Sequence, residues 1–279
     1  MKNLKHVILT SLILCLGGQA FAQDTKFGVR LGLGIPDLQV QDDNIFSAGF
    51  ASAAGFDGGI FLDYGLTENF SIKFEVAFAR KGGIREGLQP IPGSLLDPEL
   101  MAVTMGETVY ASFENTAVFS YLTVPILAKY EWHLGNRWGV YVNGGFYADF
   151  IISPTQQTSG TSQLFFDPNG TIPVEVPANP QDPPADWVLV PLPPQDFNTD
   201  NDIDDDLSDM DFGAMLGVGA SYAINSKHEI IADIRGSYGF IPLQKDRELY
   251  GDVHMGSLVF SLGYAYTFGK QNKGKVDQP

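Results

Sequence analysis

The chain has 279 residues, with 17 Lys and Arg against 33 Asp and Glu, a formal net charge of −16 and a single cysteine. That balance argues against nucleic acid as a partner, because binding it needs a basic stripe. Beyond the N-terminus no stretch reaches 18 consecutive apolar residues, which excludes a helical membrane span.

The N-terminus reads as a secretion signal. Lys2 and Lys5 form a positive n-region, residues 7–16 an apolar h-region, and Ala20-Phe21-Ala22 an A-x-A cleavage site. Residues 1–22 are therefore expected to be removed, leaving 23–279 as one domain. The apolar run is too short to remain as an anchor. Cys15 falls inside it and follows Leu14 where lipidation wants a small residue. The mature chain then has no thiol chemistry, and losing Lys2 and Lys5 takes the formal −16 to −18.

Eight segments then alternate bulky apolar residues with small or polar ones, at about 27–35, 56–66, 69–80, 118–132, 137–152, 211–225, 228–240 and 256–268. Period two means β-strand, since successive side chains point to opposite faces. The first sets Phe27, Val29, Leu31, Leu33 and Ile35 against Gly28, Arg30, Gly32 and Gly34. In the third, Phe70, Ile72, Phe74, Val76 and Phe78 oppose Ser71, Lys73 and Glu75. The fourth and fifth carry Lys129 and Glu131, then Tyr141, Asn143 and Asp149, on their non-bulky faces; the seventh carries Glu229, Asp233 and Arg235 there. The last ends in Tyr264, Tyr266 and Phe268. No charge is read on any bulky face.

The connections alternate short and long. Tight polar turns join segments two and three, four and five, and six and seven; residues 36–55, 81–117, 153–210 and 241–255 are long. Short turns at one end and long loops at the other, with an even strand count, predict an all-β fold. It is an eight-stranded antiparallel up-and-down transmembrane β-barrel, with long extracellular loops and both ends of the domain periplasmic. A soluble lipocalin-like barrel would turn the bulky face inward, but the bore of eight strands cannot hold so many large groups. The expected location is the outer membrane, with its lipid as the first partner.

The inward charges need partners in so narrow a lumen. Arg30, Lys73, Lys129 and Arg235 are expected to pair with Glu75, Glu131, Asp149, Glu229, Asp233 and Asp63, closing the lumen with an ion-pair network. A proton or ion path is the functional alternative.

The third loop, 153–210, has ten prolines and no Lys or Arg, so it is expected to be extended. Asp200, Asp202 and Asp204, with Asp211 further on, carry the alternate-residue spacing of a calcium loop. The match is partial, because Asp205 stands where the sharp turn needs Gly and the last ligand should be Glu. A solvated acidic segment is the preferred reading, with divalent binding no tighter than millimolar. In the second loop Asp97 and Pro98 predict the start of a short helix whose apolar residues need cover from the barrel mouth or a partner. Residues 187–190 are apolar and predict a strand or a contact site. A polar tail, 269–279, follows the last strand.

The sequence offers no catalytic signature. His133 and His228 lie at the short-turn end and His254 at the other, and the mature chain shows no metal-spaced His or Cys cluster and no phosphate loop. No cofactor is expected.

Tyr121-Leu122-Thr123-Val124-Pro125-Ile126-Leu127-Ala128-Lys129-Tyr130 resembles a strand of the PorT-like outer-membrane β-barrel proteins. Gly139-Val140-Tyr141-Val142-Asn143-Gly144-Gly145, Asp211-Phe212-Gly213 with Gly217-Val218-Gly219-Ala220, Ile234-Arg235-Gly236-Ser237-Tyr238-Gly239, and Ser261-Leu262-Gly263-Tyr264 resemble the strands that follow. The resemblance implies the barrel fold and supplies no catalytic residues. One branch of that family is implicated in protein export across the outer membrane, and the long acidic third loop departs from its pattern. A structural or interaction protein whose loops bind an envelope partner or external ligand is the leading expectation. An export component is the alternative, and a lipid-modifying enzyme comes next.

Overall fold

A computed structural model describes residues 25–40, 44–181, 184–201 and 203–268. The secretion signal, Cys15, Asp202 and the polar tail lie outside the described residues. Eight long strands form the wall: β1 Thr25–Val40, β2 Gly55–Gly65, β3 Phe70–Arg85, β4 Glu114–Leu134, β5 Trp138–Ser159, β6 Met210–Ala223, β7 His228–Gly239 and β8 Val253–Phe268. Each pairs antiparallel with its sequence neighbours, and β8 closes onto β1 from Thr25–Phe268 to Val40–Val253. Every edge is therefore paired, the condition for a sheet to sit in lipid.

The register fixes the bore. Stepping between paired residues from Lys26 leads through Asp63, Lys73, Leu127, Gly145, Met215, Ser237 and Ser257 and returns to β1 at Pro36, ten residues along. Eight strands with that stagger tilt strongly and leave a bore that side chains fill. All the residues on the path lie on the inner face. Tyr147 there is 1 % exposed, whereas Leu216 on the outer face is 71 % exposed.

Two aromatic girdles bound the outer face. At the short-turn end Tyr130 packs edge-on against Trp132 and Trp138 against Tyr222; at the other end Phe146 stacks on Phe212, which meets Phe240. Between them the wall is apolar, as lipid requires. The expectation of a charge-free outer face needs one correction. Arg80 continues the outward series of β3 two residues beyond Phe78 and is exposed. At the strand's upper end its long stem can carry the guanidinium into the headgroup layer.

The short turns have local causes. Gly135 adopts φ +68° between β4 and β5, a conformation that costs glycine nothing. Asn225 accepts hydrogen bonds from the backbone N–H of Lys227 and His228 through its side-chain oxygen, turning β6 into β7. β1, β3, β4, β5 and β8 run further than their apolar patterning, most of all in the β4–β5 hairpin, whose register slips between Ser120 and Tyr121.

Above the wall the loops fold on one another. Leu88–Ile91 pairs with Val109–Ser112, and between them Pro98–Thr104 forms the helix α1, capped by the Asp97 carboxylate. The third loop is extended in short paired strands, with Asp200, Asp204, Asp205 and Asp206 exposed. Thr161–Ser162 pairs with Gln195–Asp196, Glu175–Pro177 with Leu189–Pro191, and Thr199–Asn201 adds to β5. Leu164 and Val174 from this loop and Val109 and Ala111 from the second are buried together, and Leu96, Leu100, Phe113 and Phe197 pack around them. Cover for Leu100 of the helix, and for Leu96 just before it, thus comes from the second and third loops rather than from the barrel mouth. The mouth is covered separately, by Phe50, Ile203, Leu207 and Leu243 over Phe119 and Tyr121.

Replacing Leu216, midway along β6 on the outer face, by Arg is expected to weaken folding into phosphatidylcholine vesicles by about 2–4 kcal/mol in a urea titration. A wall facing water would show a change near zero.

Candidate functional site

The inner face carries charge in three tiers, each assembled from strands far apart in sequence. Nearest the short turns, Lys26 on β1 meets Glu229 on β7 at 2.6 Å and Glu131 on β4 at 3.8 Å. Lys129 lies 2.8 Å from Glu131 and 3.1 Å from Asp63 on β2, and Ser221 donates its hydroxyl to Glu131 at 2.5 Å.

The middle tier is centred on Glu75, whose side chain is 0 % exposed. Its carboxylate accepts from Arg30 at 2.9 Å and Arg235 at 2.7 Å through one oxygen, and meets Lys73 at 2.9 Å through the other. Arg30 also pairs with Asp57, and Arg235 with Asp233. Asp233 further accepts from the Tyr141 hydroxyl at 2.7 Å and the Asn143 amide at 3.1 Å. Three cations and three carboxylates thus balance across β1, β2, β3 and β7. Phe61 and Tyr141 turn their ring faces to Lys73 and Lys129 at 4.1 and 4.4 Å, adding cation–π contact where water is scarce.

In the upper tier Lys81 on β3 reaches Asp149 on β5 at 2.6 Å between the rings of Tyr121 and Tyr147. Asp211 on β6 stands opposite Asp149 in the register and accepts from the Ile241 backbone N–H. Above this tier begins the apolar cover of the mouth.

The structure therefore places Arg30, Lys73, Glu75, Lys129, Glu131, Asp149, Glu229, Asp233 and Arg235 inside the wall, divided among the three tiers. Four further members escaped the sequence reading: Lys26, Asp57, Lys81 and Asp211. Lys26 and Lys81 sit one residue beyond the expected strand limits, and continuing the alternation by one step reaches both. Asp57 shares the parity of Asp63. Asp211 was read with the acidic loop, although it shares the parity of Gly213.

Three of the four calcium candidates fall among the described residues. Asp200 lies in the strand added to β5, Asp204 begins a short 3-10 turn, Asp211 faces the interior and Asp202 lies outside the described residues. Among the described residues there is no group of three or more His, Cys, Asp or Glu placed to hold a metal ion. His254 is buried against Tyr238 and the Gly239 carbonyl. On the loop before β8, the Arg247 guanidinium beside Asp252 holds that carboxyl below the ordinary carboxylate range.

On the outer wall a depression of about 820 Å³ lies where Ala220 and Ala232, paired across β6 and β7, are flanked by Leu31, Val142 and Phe260. Its apolar lining faces the lipid.

Residues 21–245 match the outer membrane protein β-barrel domain family. No curated protein matches the chain. Among solved structures, Neisserial surface protein A is 12 % identical, with 87 % of this chain and 97 % of that one covered and a TM-score of 0.37. OprG from Pseudomonas aeruginosa is 10 % identical over 90 % and 98 %, with a TM-score of 0.39. A major outer membrane protein from Thermus thermophilus is 15 % identical over 88 % and 99 %, with a TM-score of 0.37.

Glu75→Gln would leave Arg30, Arg235 and Lys73 sharing a neutral amide. Removing one partner from a buried ionic cluster costs about 3–5 kcal/mol, and that loss is expected in urea unfolding from lipid. Glu68→Gln, in the exposed β2–β3 turn, is expected to change stability by less than about 0.5 kcal/mol.

Proposed function

We infer a role from a fixed premise: the chain belongs to the outer membrane protein β-barrel domain family, and its place is the outer membrane. We propose that the barrel is an anchor with a closed interior and that the folded outer loops are its working surface. The observation that carries this reading is the packing of the second and third loops around Val109, Ala111, Leu164 and Val174. Long loops that build their own core hold a fixed shape, which is what recognition of a partner or external ligand needs. The inner tiers support the anchor role: Lys26, Arg30, Lys73, Lys81, Lys129 and Arg235 are each held in an ion pair, and the mouth above them is covered by apolar loop residues. On this reading the protein is not an enzyme and uses no cofactor. The acidic stretch of the third loop contributes charge to the surface, with divalent cations binding there weakly.

A second reading, a component of a PorT-like export machine, is favoured by the strand segments from Tyr121 to Tyr130 and from Ile234 to Gly239. It would place partners at the short turns as well as at the loops.

Photo-crosslinking residues placed at Met105 and Val188 on the loops and at Lys227 on the β6–β7 turn separate the two in native outer membranes. The anchor reading expects adducts from the loop positions and none from Lys227. Adducts of a defined periplasmic partner at Lys227 would replace it with the export reading.

A further inference from the structure

Within the third loop, Glu175–Pro177 and Leu189–Pro191 form an antiparallel ribbon. Ala178 donates its backbone N–H to Val188 O at 2.8 Å and Leu192 donates to Val174 O at 2.7 Å, with Val176 opposite Val190 between them. The root of the ribbon is fixed, because Val174 is buried in the loop core and Leu192 packs against it. Further out, Trp187, Val188, Leu189 and Val190 are 44, 69, 53 and 37 % exposed. Alternation along the ribbon puts Val188 and Val190 on the face of Val176 and Leu189 on the opposite face, so both faces hold large apolar residues at the surface and mark a contact site.

The ribbon's edges show how it is used. The paired positions 174, 176, 178, 188, 190 and 192 point their hydrogen-bonding groups inward, so positions 175, 177, 189 and 191 form the two open edges. Pro177 occupies one edge and Pro191 the other, and Pro193 and Pro194 follow. Proline offers no N–H, so neither edge accepts an added strand well. A partner must engage a side-chain face. Charge sets the second condition. Residues 153–210 contain eleven Asp and Glu and no Lys or Arg, and exposed Glu175 and Asp186 flank the apolar run. The surface therefore matches a partner that is apolar on one side and cationic around it.

We propose that this ribbon is the docking face for a cationic amphipathic helix of a partner polypeptide. The proposal rests on the loops being the working surface and names the class of partner they take.

The test uses the full chain folded in zwitterionic nanodiscs, titrated with a synthetic amphipathic helix of Leu and Lys and with its Leu and Glu counterpart, empty discs serving as the blank. The Lys peptide is expected to bind at least about tenfold more tightly than the Glu peptide. Val188→Ser with Leu189→Ser, which spares the Val174–Leu192 root, should weaken it about tenfold. Glu175→Gln with Asp186→Asn leaves the apolar face intact and should lower both affinity and its dependence on salt. Equal binding of the two peptides, or binding that neither variant changes, overturns the proposal. Crosslinking at Val188 and Met105 in native membranes separates its failure from that of the loop reading. A basic amphipathic segment sequenced at Val188 supports the proposal. An acidic or non-peptide adduct there rejects the partner class alone, and adducts at neither position reject both.

Discussion

A sheet in lipid has no water to satisfy its backbone, so every strand must find a partner on both sides. The pairing of β8 with β1 meets that constraint, and most of the structure follows from it. Closing eight strands with a stagger of ten residues fixes a narrow bore. That bore explains the small inner residues. A Cβ on Gly59 would stand 2.3 Å from the Val76 carbonyl oxygen, and one on Gly145 2.1 Å from the Ile126 carbonyl oxygen. The same bore forces the remaining inner charges into contact, because little water is available to screen them. Glu75 draws cations from three strands for that reason. Within the hydrocarbon the closed ring thus separates an apolar outer face from an inner face of small residues, paired charges and large side chains such as Leu127 and Tyr147 that fill the bore.

This two-state choice is why the wall was legible in the sequence. Alternation alone identified eight strands, their order, the inward parity of Arg30, Glu75 and Arg235, and the alternation of short and long connections. What it could not give is which charges meet. Arg30 and Arg235 converge on Glu75 through the stagger of the ring, a property of the register around all eight strands and not of any one of them. The members missed at strand ends, Lys26 and Lys81, show a related limit. Apolar patterning stops where lipid stops, whereas hydrogen-bonded pairing continues, so parity outlasts hydropathy at the start of β1 and at the loop ends of β1, β3, β4, β5 and β8. Arg80 shows the converse, keeping outward parity after the wall has left the hydrocarbon.

The loops were less legible because their core has no period. Leu164 and Val174 sit among prolines and polar residues, and nothing in their spacing marks them as buried. Their cover is Val109 and Ala111 from another loop, brought near by the β4–β5 hairpin rising above the wall. The aspartates of the third loop are exposed at Asp200, Asp204, Asp205, Asp206 and Asp209, while the segments before them are held by ribbons and Leu207 among them by the apolar cover of the mouth. Asp211 was drawn into the calcium pattern by its place in the run, although the register turns it inward.

The ion-pair tiers fill the bore, and Phe50, Ile203, Leu207 and Leu243 cover its mouth, so that the interior is closed. If that holds, transport is absent and recognition lies with the loops. Conductance of the folded protein in planar lipid bilayers tests this most directly. The account predicts a baseline indistinguishable from protein-free membranes at neutral pH. Steady, reproducible single-channel currents would show a continuous aqueous path past Glu75 and would contradict it.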